Sequence, residues 1–314
     1  MNLSSPPLEK AKRLARHEEF MERIFHYTIT KTQEGITIYD FLRSLGYSRS
    51  LLLHLKRTPQ GILRNGQNTF GSVLLQEGDC LDIRLVENIS SQNIPPTPME
   101  LKILYEDEDI LVLNKPADTP IHPSMGNYEN TLANGVAHYY QSQGISFVYR
   151  CINRLDRDTT GALILAKHAY SAALLSAAMQ RREIHRTYLA LVQGLCPEYG
   201  VIDAPIARKD ASVIEREVNL RTGAPALTRY ECLAFHQGLS LVQLRLETGR
   251  THQIRVHMKY LGYPLLGDYL YNPDYSRIGR VSLHSYQLDF CHPITDKPLC
   301  LTAPVPKDFL QAWE

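Results

Sequence analysis

The chain has 314 residues, of which 44% are apolar and 21% charged. That excludes a disulfide-stapled miniature scaffold and a globally disordered chain, and leaves room for about two domains. With 34 basic and 33 acidic residues the formal charge is +1, so a site for a polyanion has to be a confined basic patch. Six scattered cysteines with no CxxC pair, no secretory leader and no apolar run of bilayer length lead to the expectation of a reducing, cytoplasmic setting with no membrane partner.

Residues 1–20 open with a Ser/Pro turn and continue as a charged stretch at helical spacing, with Leu8, Leu14 and Phe20 as its larger apolar anchors. They predict a solvated, dispensable helical extension, and MERIFHYTIT from Met21 reads as a fresh domain start. Ile38, Phe41, Leu42 and Leu45 then recur at helical spacing, Gly46 stops that helix, and Ser48 can cap a second one through SLLLHLKR. After Pro59, GILRNGQNTF and VLLQEGDCLDIRL read as strand-like runs, with Asn65-Gly66 as a hairpin signal and Glu77-Gly78-Asp79 as a second turn. Residues 21–87 thus predict a helix-helix-hairpin unit. Leu42, Gly46, Tyr47, Ser48 and Arg49, followed by the two turns, resemble the small RNA-binding module first known from a small-subunit ribosomal protein. The resemblance implies that Arg43, Arg49, Lys56 and Arg57 meet RNA phosphates; a solvated helical face is the plainer reading of the same four side chains. Residues 88–98 are polar with three prolines and read as a linker.

A second domain over 99–314 opens with LKILYEDEDILVLNK, two alternating apolar runs about the acidic turn at 106–109, as in a hairpin. Residues 151–194 read as a loop, a buried strand at ALILA, a helix at 172–179 and a strand at TYLALV. Asp156 falls in the loop just before the buried strand, crowded by Arg154, Arg157 and Asp158. Such an aspartate is either structural or a functional group held by a rigid strand. Asp156 and Asp158 could also be a carboxylate pair for glycoside hydrolysis, although two carboxylates at i and i+2 among arginines favour separate neutralisation.

The strand at Leu239 to Leu246 runs through Glu247-Thr248-Gly249-Arg250 into a helix whose buried face carries Ile254, Met258 and Leu261. His252, Arg255 and Lys259 form a basic stripe at the start of that helix, a place suited to a carboxylate or phosphate. His252 and His257 are five apart with no Glu at the metalloprotease position, so no metal is expected. With no GxGxxG and no GxxxxGK[ST], no nucleotide cofactor is expected either, and no GxSxG elbow marks a serine nucleophile.

Arg154-Leu155-Asp156-Arg157-Asp158-Thr159-Thr160-Gly161, Arg186-Thr187-Tyr188-Leu189-Ala190 and Thr248 through His257 together resemble the signatures of the RluA-type pseudouridine synthases. The resemblance continues through Asn114-Lys115-Pro116, Ile121-His122-Pro123, Gly262 through Asp268, Leu283-His284 and Phe290-Cys291-His292-Pro293, and so spans residues 99–314 in order. It implies an α+β fold, with a mixed, largely antiparallel central sheet, flanking helices and an RNA-binding cleft across the middle. It implies Asp156 as the catalytic aspartate, Tyr188 as the active-site tyrosine that stacks on the target base, and Arg255 as the partner that favours the ionised carboxylate. Arg154 is implied to hold the place of the flipped nucleotide, with Asn153, Arg157, Arg250 and His252 among the RNA contacts. Asn153 stands where the family commonly has His, and Thr160 where Ser is frequent. No metal or organic cofactor is implied. The partner is RNA, ribosomal large-subunit RNA first and transfer RNA second, and a monomer is the default state. Two rivals stand beside this reading: a non-catalytic RNA-binding or ribosome-assembly factor, and a glycosidase built on Asp156 and Asp158.

Overall fold

The computed structural model describes residues 21–87, 89–210 and 212–314; the expected charged extension lies outside the described residues. The chain divides into two units. One takes the residues up to Met99 together with Asn134–Tyr149, and the other takes Glu100–Ala133 and Arg150–Glu314.

In the first unit, β1 (Met21–Thr28) is followed by helices α1 (Ile38–Ser44) and α2 (Arg49–Arg57), then β2 (Ile62–Arg64), β3 (Gln67–Asn68) and β4 (Cys80–Glu87). These strands form an antiparallel sheet in the order β1-β4-β2-β3. Thr37 and Ser48 cap the helices by accepting from the Asp40 and Leu51 amides. Ile38, Phe41, Leu42, Leu51, Leu52 and Leu55 face inward. Asn65 and Gly66 both take positive φ, 53° and 77°, the twist a two-residue hairpin requires between β2 and β3.

The unit differs from a helix-helix-hairpin in two ways. β1 pairs along its whole length with β4, although its charged residues hide its alternation in sequence. Those charges lie on a partly exposed ribbon, where Glu22 pairs with Arg84 and His26 with Asp82 at 2.7 Å. The stretch at 73–76 is not a strand; only Leu74 bridges, to Thr37. The proline-rich segment after β4 is held by its own unit: the Ser90 and Ser91 hydroxyls accept from the Phe147 and Tyr149 amides, and Asn134 Nδ2 donates to the Pro95 carbonyl.

The second unit is built on a nine-stranded sheet. Its elements in chain order are β5 (Ile103–Glu106), β6 (Ile110–Lys115), β7 (Thr160–Ala166), α4 (Ala169–Gln180) and β8 (His185–Gln193); between β6 and β7 the chain forms α3 (Leu132–Ser142), which from Asn134 onward belongs to the first unit. There follow β9 (Tyr199–Asp203), a two-stranded ribbon of β10 (Ile206–Arg208) and β11 (Arg216–Val218), then β12 (Leu227–His236), β13 (Leu239–Leu246), α5 (Gln253–Tyr260), β14 (Leu283–Cys291), β15 (Pro298–Thr302) and α6 (Lys307–Trp313). The strand order is β5-β6-β7-β14-β8-β13-β12-β9, with β15 on β14. Every pairing is antiparallel except β7 with β14, so the sheet is mixed and largely antiparallel as the motifs imply. All seven residues of β7 are buried, which explains its unbroken apolar run, and Ile164 shares a core with Val112, Leu175, Leu288 and Phe290. Among the described residues no helix is long and apolar enough to cross a membrane.

Where β7 meets β14, Gly161 has φ +109° and a Cβ there would stand 2.2 Å from the Ser285 carbonyl oxygen, so only glycine fits. One residue away, fully buried His284 donates from Nε2 to the Ala303 carbonyl at 3.2 Å, while its Nδ1 lies 2.8 Å from the Thr160 hydroxyl. Burial pushes its imidazole down from 6.5 to about 4. Between those two values the unfolded chain takes up a proton that the folded chain does not, so stability is lost as pH falls through that window. The shift corresponds to about 3 kcal/mol. Urea unfolding followed from neutral pH to pH 4 is expected to show this decline, and His284→Gln to flatten it by a comparable amount.

Candidate active site

The loop at 150–159 is fastened to the sheet before it reaches Asp156. The Ile152 amide donates to the Ile164 carbonyl at 2.9 Å. Asn153, 3% exposed, accepts from the Ile164 amide at 2.8 Å and donates to the Ala162 carbonyl at 3.3 Å. Expected among the RNA contacts, Asn153 is instead turned inward, with both ends of its amide occupied by β7.

On the other side of the loop, fully buried Lys115 at the end of β6 donates from Nζ to the carbonyls of Pro116, Thr119 and Arg157 at 2.7, 2.9 and 2.7 Å. Burial pushes this amine down to about 7, opposed by the charges of Asp158 and Asp156. Three carbonyl acceptors call for three N–H groups, which only the charged form carries. Protonated Lys115 is therefore the form that ties the Asp156 loop to the turn after β6. The Thr159 amide closes onto the Asp156 carbonyl at 3.2 Å, leaving the Asp156 side chain 29% exposed.

The opposite wall comes from the start of α5. Buried Gln253 accepts from the Thr248 hydroxyl and the Arg250 amide at 2.8 and 2.9 Å, and donates to the Leu227 carbonyl and the Thr228 hydroxyl at 3.0 Å each. This pins the Thr248–Arg250 turn to β12 and fixes where the helix starts. Arg255, 2% exposed, then donates from Nη1 to Asp156 Oδ2 at 2.9 Å and from Nε and Nη2 to the two oxygens of Asp268 at 2.7 Å each. Asp268 is itself fully buried and also accepts from the Leu270 and Tyr271 amides. The guanidinium lies 5.4 and 5.1 Å from the Tyr269 and Tyr271 ring centroids. Burial alone would lower its pKa; the Asp268 hydrogen bonds and the charges of both carboxylates outweigh that and raise it. Among the described residues Asp156 Oδ1 has no hydrogen-bond partner.

His252 caps α5 in the left-handed conformation, φ 57°. Its Nδ1 is 3.0 Å from the Tyr271 hydroxyl, which already accepts the Arg216 amide at 2.9 Å. The hydroxyl proton therefore goes to Nδ1, and a protonated Nε2 faces Asp156 Oδ2 at 3.9 Å. Burial lowers the His252 pKa, opposed by Asp156. His257 contacts Thr228 and Ala204, so the two histidines do not converge on a metal. Among the described residues Asp107, Asp109 and His292 do lie close enough together to hold one. His292 Nδ1, however, accepts the Ile294 and Thr295 amides, which leaves the proton on Nε2, 2.9 Å from Asp107. With its proton there, Nε2 has no lone pair to offer a cation.

Asp156, Tyr188, Arg154, Arg250, His252 and Arg255 line one open cavity of about 350 Å³, with Leu246, Ile254 and Leu283 as apolar wall. Tyr188 reaches it from β8 and is 4% exposed; burial raises its hydroxyl pKa, opposed by Arg186 and by a hydrogen bond with Ser285. Arg157 points elsewhere, toward Asp118 and Asp158 at 3.3 and 3.4 Å. Asp158 does not line the cavity, so it and Asp156 do not form a glycosidase pair. Arg43, Arg49, Lys56 and Arg57 are exposed on the helices of the first unit, with Arg43 paired to Asp40 at 2.8 Å. The sequence reading gave no role to Asp268, Lys115 or Gln253. Asp268 and Lys115 sit inside the motifs quoted above, but a Gly-Asp after an apolar run reads as a turn.

A model of the RNA pseudouridylate synthase family matches residues 109–260. The chain is 39% identical over 274 residues to the "Uncharacterized RNA pseudouridine synthase YjbO" of Bacillus subtilis, covering 87% of this chain and 96% of that one. It is 37% identical over 235 residues to the "Ribosomal large subunit pseudouridine synthase D" of Escherichia coli, covering 70% and 71%. The solved structure of human RNA pseudouridylate synthase domain containing 1 matches with a TM-score of 0.56 at 28% identity, over 68% of this chain and 86% of that chain.

Proposed function

The chain belongs to the RluA-type family of RNA pseudouridine synthases, intramolecular isomerases of RNA, and from that premise we propose that it converts specific uridines of structured ribosomal large-subunit RNA through Asp156. The observation that carries the role of Asp156 is its geometry. One carboxylate oxygen is held by buried Arg255 at 2.9 Å, and the other is left without a protein partner in a cavity walled by Tyr188. The choice of RNA is supported by relatives named for the large ribosomal subunit.

The reaction breaks the bond from uracil N1 to the ribose, turns the base and rejoins it through C5, with nothing oxidised and no group imported. Asp156 supplies the carboxylate that acts while the glycosidic bond is open. The Tyr188 ring retains the detached base, and the apolar wall of Leu246, Ile254 and Leu283 limits the water that could trap an intermediate. Arg255 holds one oxygen of the carboxylate and so leaves the other free toward the cavity.

A stacked uridine has to leave its helix first, at about a few kcal/mol. Arg154, exposed at the cavity, fills the gap it leaves. Arg154→Ala is therefore expected to reduce activity more on a uridine in a stable hairpin than on the same uridine in a loosened one. Equal losses on both RNAs would remove Arg154 from that role. Arg43, Arg49, Lys56 and Arg57 add phosphate contacts from the first unit, which give affinity and salt dependence but no choice of sequence.

The test is release of label from transcripts tritiated at uridine C5, run on ribosomal and transfer RNA. Release from large-subunit RNA supports the assignment. Release from transfer RNA alone overturns the choice of substrate.

A further inference from the structure

His252 occupies the N-cap of α5, where a side chain ordinarily accepts from the first free amides of its helix, yet it makes no such bond. Its backbone is held at φ 57°, a left-handed conformation that strains a residue other than glycine. The imidazole lies in the cavity instead of over the helix end, 10% exposed beside Asp156.

Two residues fix which of its nitrogens carries the proton. The Arg216 amide donates to the Tyr271 hydroxyl at 2.9 Å, and that hydroxyl gives its own proton to Nδ1 at 3.0 Å. Tyr271 is 6% exposed, and burial raises its pKa to about 12, so the proton stays available. Neither Arg216 nor Tyr271 is among the residues that line the cavity. With Nδ1 accepting, Nε2 presents an N–H 3.9 Å from Asp156 Oδ2. That is too long for a hydrogen bond, and among the described residues Nε2 has no other partner.

A single atom can bridge the gap. An oxygen about 2.8 Å from both Nε2 and Oδ2 fits their separation. It has to accept from the imidazole and donate to the carboxylate. In a uridine within a strand, the carbonyl, ring and phosphate oxygens only accept, and N3–H only donates. The ribose 2′-hydroxyl does both.

We propose that His252 binds the 2′-hydroxyl of the target uridine, bridging it to Asp156, and is the residue by which the site demands ribose at the nucleotide it modifies. The proposal rests on the reading that Asp156 acts on a uridine of RNA. The hydroxyl uses Oδ2, the oxygen that Arg255 already holds, and leaves Oδ1 for the chemistry. Tyr271 is a positioning residue, which keeps the proton on Nε2 without touching the RNA.

The experiment uses the full chain and a synthetic fragment of large-subunit RNA tritiated at C5 of the uridine that the parent protein modifies, made with either ribose or 2′-deoxyribose at that one position. The parent kcat/KM is expected to be about 10²-fold lower on the deoxy form, the scale of a hydrogen bond to a charged partner. His252→Asn keeps a residue that tolerates the left-handed backbone but no longer reaches the hydroxyl. It is expected to lose most of that factor on the ribose form and little on the deoxy form, so that the ratio between the two falls below about ten. A ratio taken within one protein is unmoved by loss of folded enzyme, and the intrinsic reactivity of the deoxy sugar is common to every variant. His252→Gln, whose amide N–H stands in for Nε2–H, is expected to restore most of the ribose rate, and Tyr271→Phe to lower the ratio several-fold. A parent with equal kcat/KM on both forms refutes the contact while label release upholds the reading beneath it. So does His252→Asn with the parental ratio, the result that a contact to the uracil edge would give, and so does His252→Gln no faster than His252→Asn. A parent protein that releases no label from any RNA refutes that reading, and this contact with it.

Discussion

Asp156→Asn is expected to abolish release of label from C5-tritiated RNA, a fall of at least about 10⁴-fold, the scale on which loss of an essential catalytic group is felt. RNA affinity and the unfolding midpoint should stay close to those of the parent protein. Asparagine keeps the shape of the side chain and can still accept from Arg255 Nη1, and Arg255 keeps its two bonds to Asp268. What is lost is the charge on the unpartnered oxygen. Three measurements on one preparation decide it: label release, equilibrium RNA binding and thermal unfolding. A variant retaining a tenth of the parental rate would move the chemistry away from Asp156, and one that fails to bind RNA would make the residue structural.

Asp268→Asn is expected to have the largest effect on stability, about 3 to 5 kcal/mol, because it leaves the buried Arg255 charge with Asp156 as its only carboxylate. The carboxylate is fully buried and satisfies four donors, two from Arg255 and the amides of Leu270 and Tyr271. An asparagine presents an N–H₂ to a group that only donates. Asp308→Asn makes a useful comparison, since Asp308 also forms two bonds to an arginine, Arg280, but its side chain is 48% exposed. Its removal is expected to cost about 1 kcal/mol or less. Below its unfolding temperature the Asp268 variant should also turn over roughly 10²-fold more slowly, with RNA affinity little changed, because Arg255 then no longer aims at Asp156. Urea unfolding separates the two aspartates, and a fall in kcat without a matching rise in KM separates positioning from loss of folded protein.

The elements easiest to read in the sequence are those whose cause is local. β13 occupies the expected residues, β7 is the apolar run after Asp156, and Asn65-Gly66 forms its turn because its backbone angles suit those two residues. Asp156, Tyr188, Arg154, Arg250, His252 and Arg255 could be named from motifs, and they meet in one cavity. β1 was missed because Arg23 falls on its inward face and Ile24 on its exposed one, so residue type does not follow the alternation of the strand. Asn153 reads as a polar loop residue, yet its amide completes the hydrogen bonding of a buried strand eleven residues further on. The basic stripe on α5 was legible, but not that Arg255 would be buried while Lys259 stays exposed. That division depends on Asp268, which approaches from beyond the helix.

The placement of β14 between β7 and β8 bears on when the enzyme first becomes competent during its synthesis. β7 follows the Asp156 loop and β8 carries Tyr188; the two strands are separated by a single helix in sequence, yet they are not neighbours in the sheet. The strand that spaces them begins at Leu283, about a hundred residues after β8. A growing chain can pair β5, β6 and β7 early, and β8 with β13 later, but these two halves have nothing to join them until β14 leaves the ribosome. Asp156 and Tyr188 are therefore set at the separation seen in the cavity only when synthesis is nearly finished. Contacts that span so much sequence form slowly, so completion of the sheet and closure of the cavity that Asp156 and Tyr188 line become a single late event.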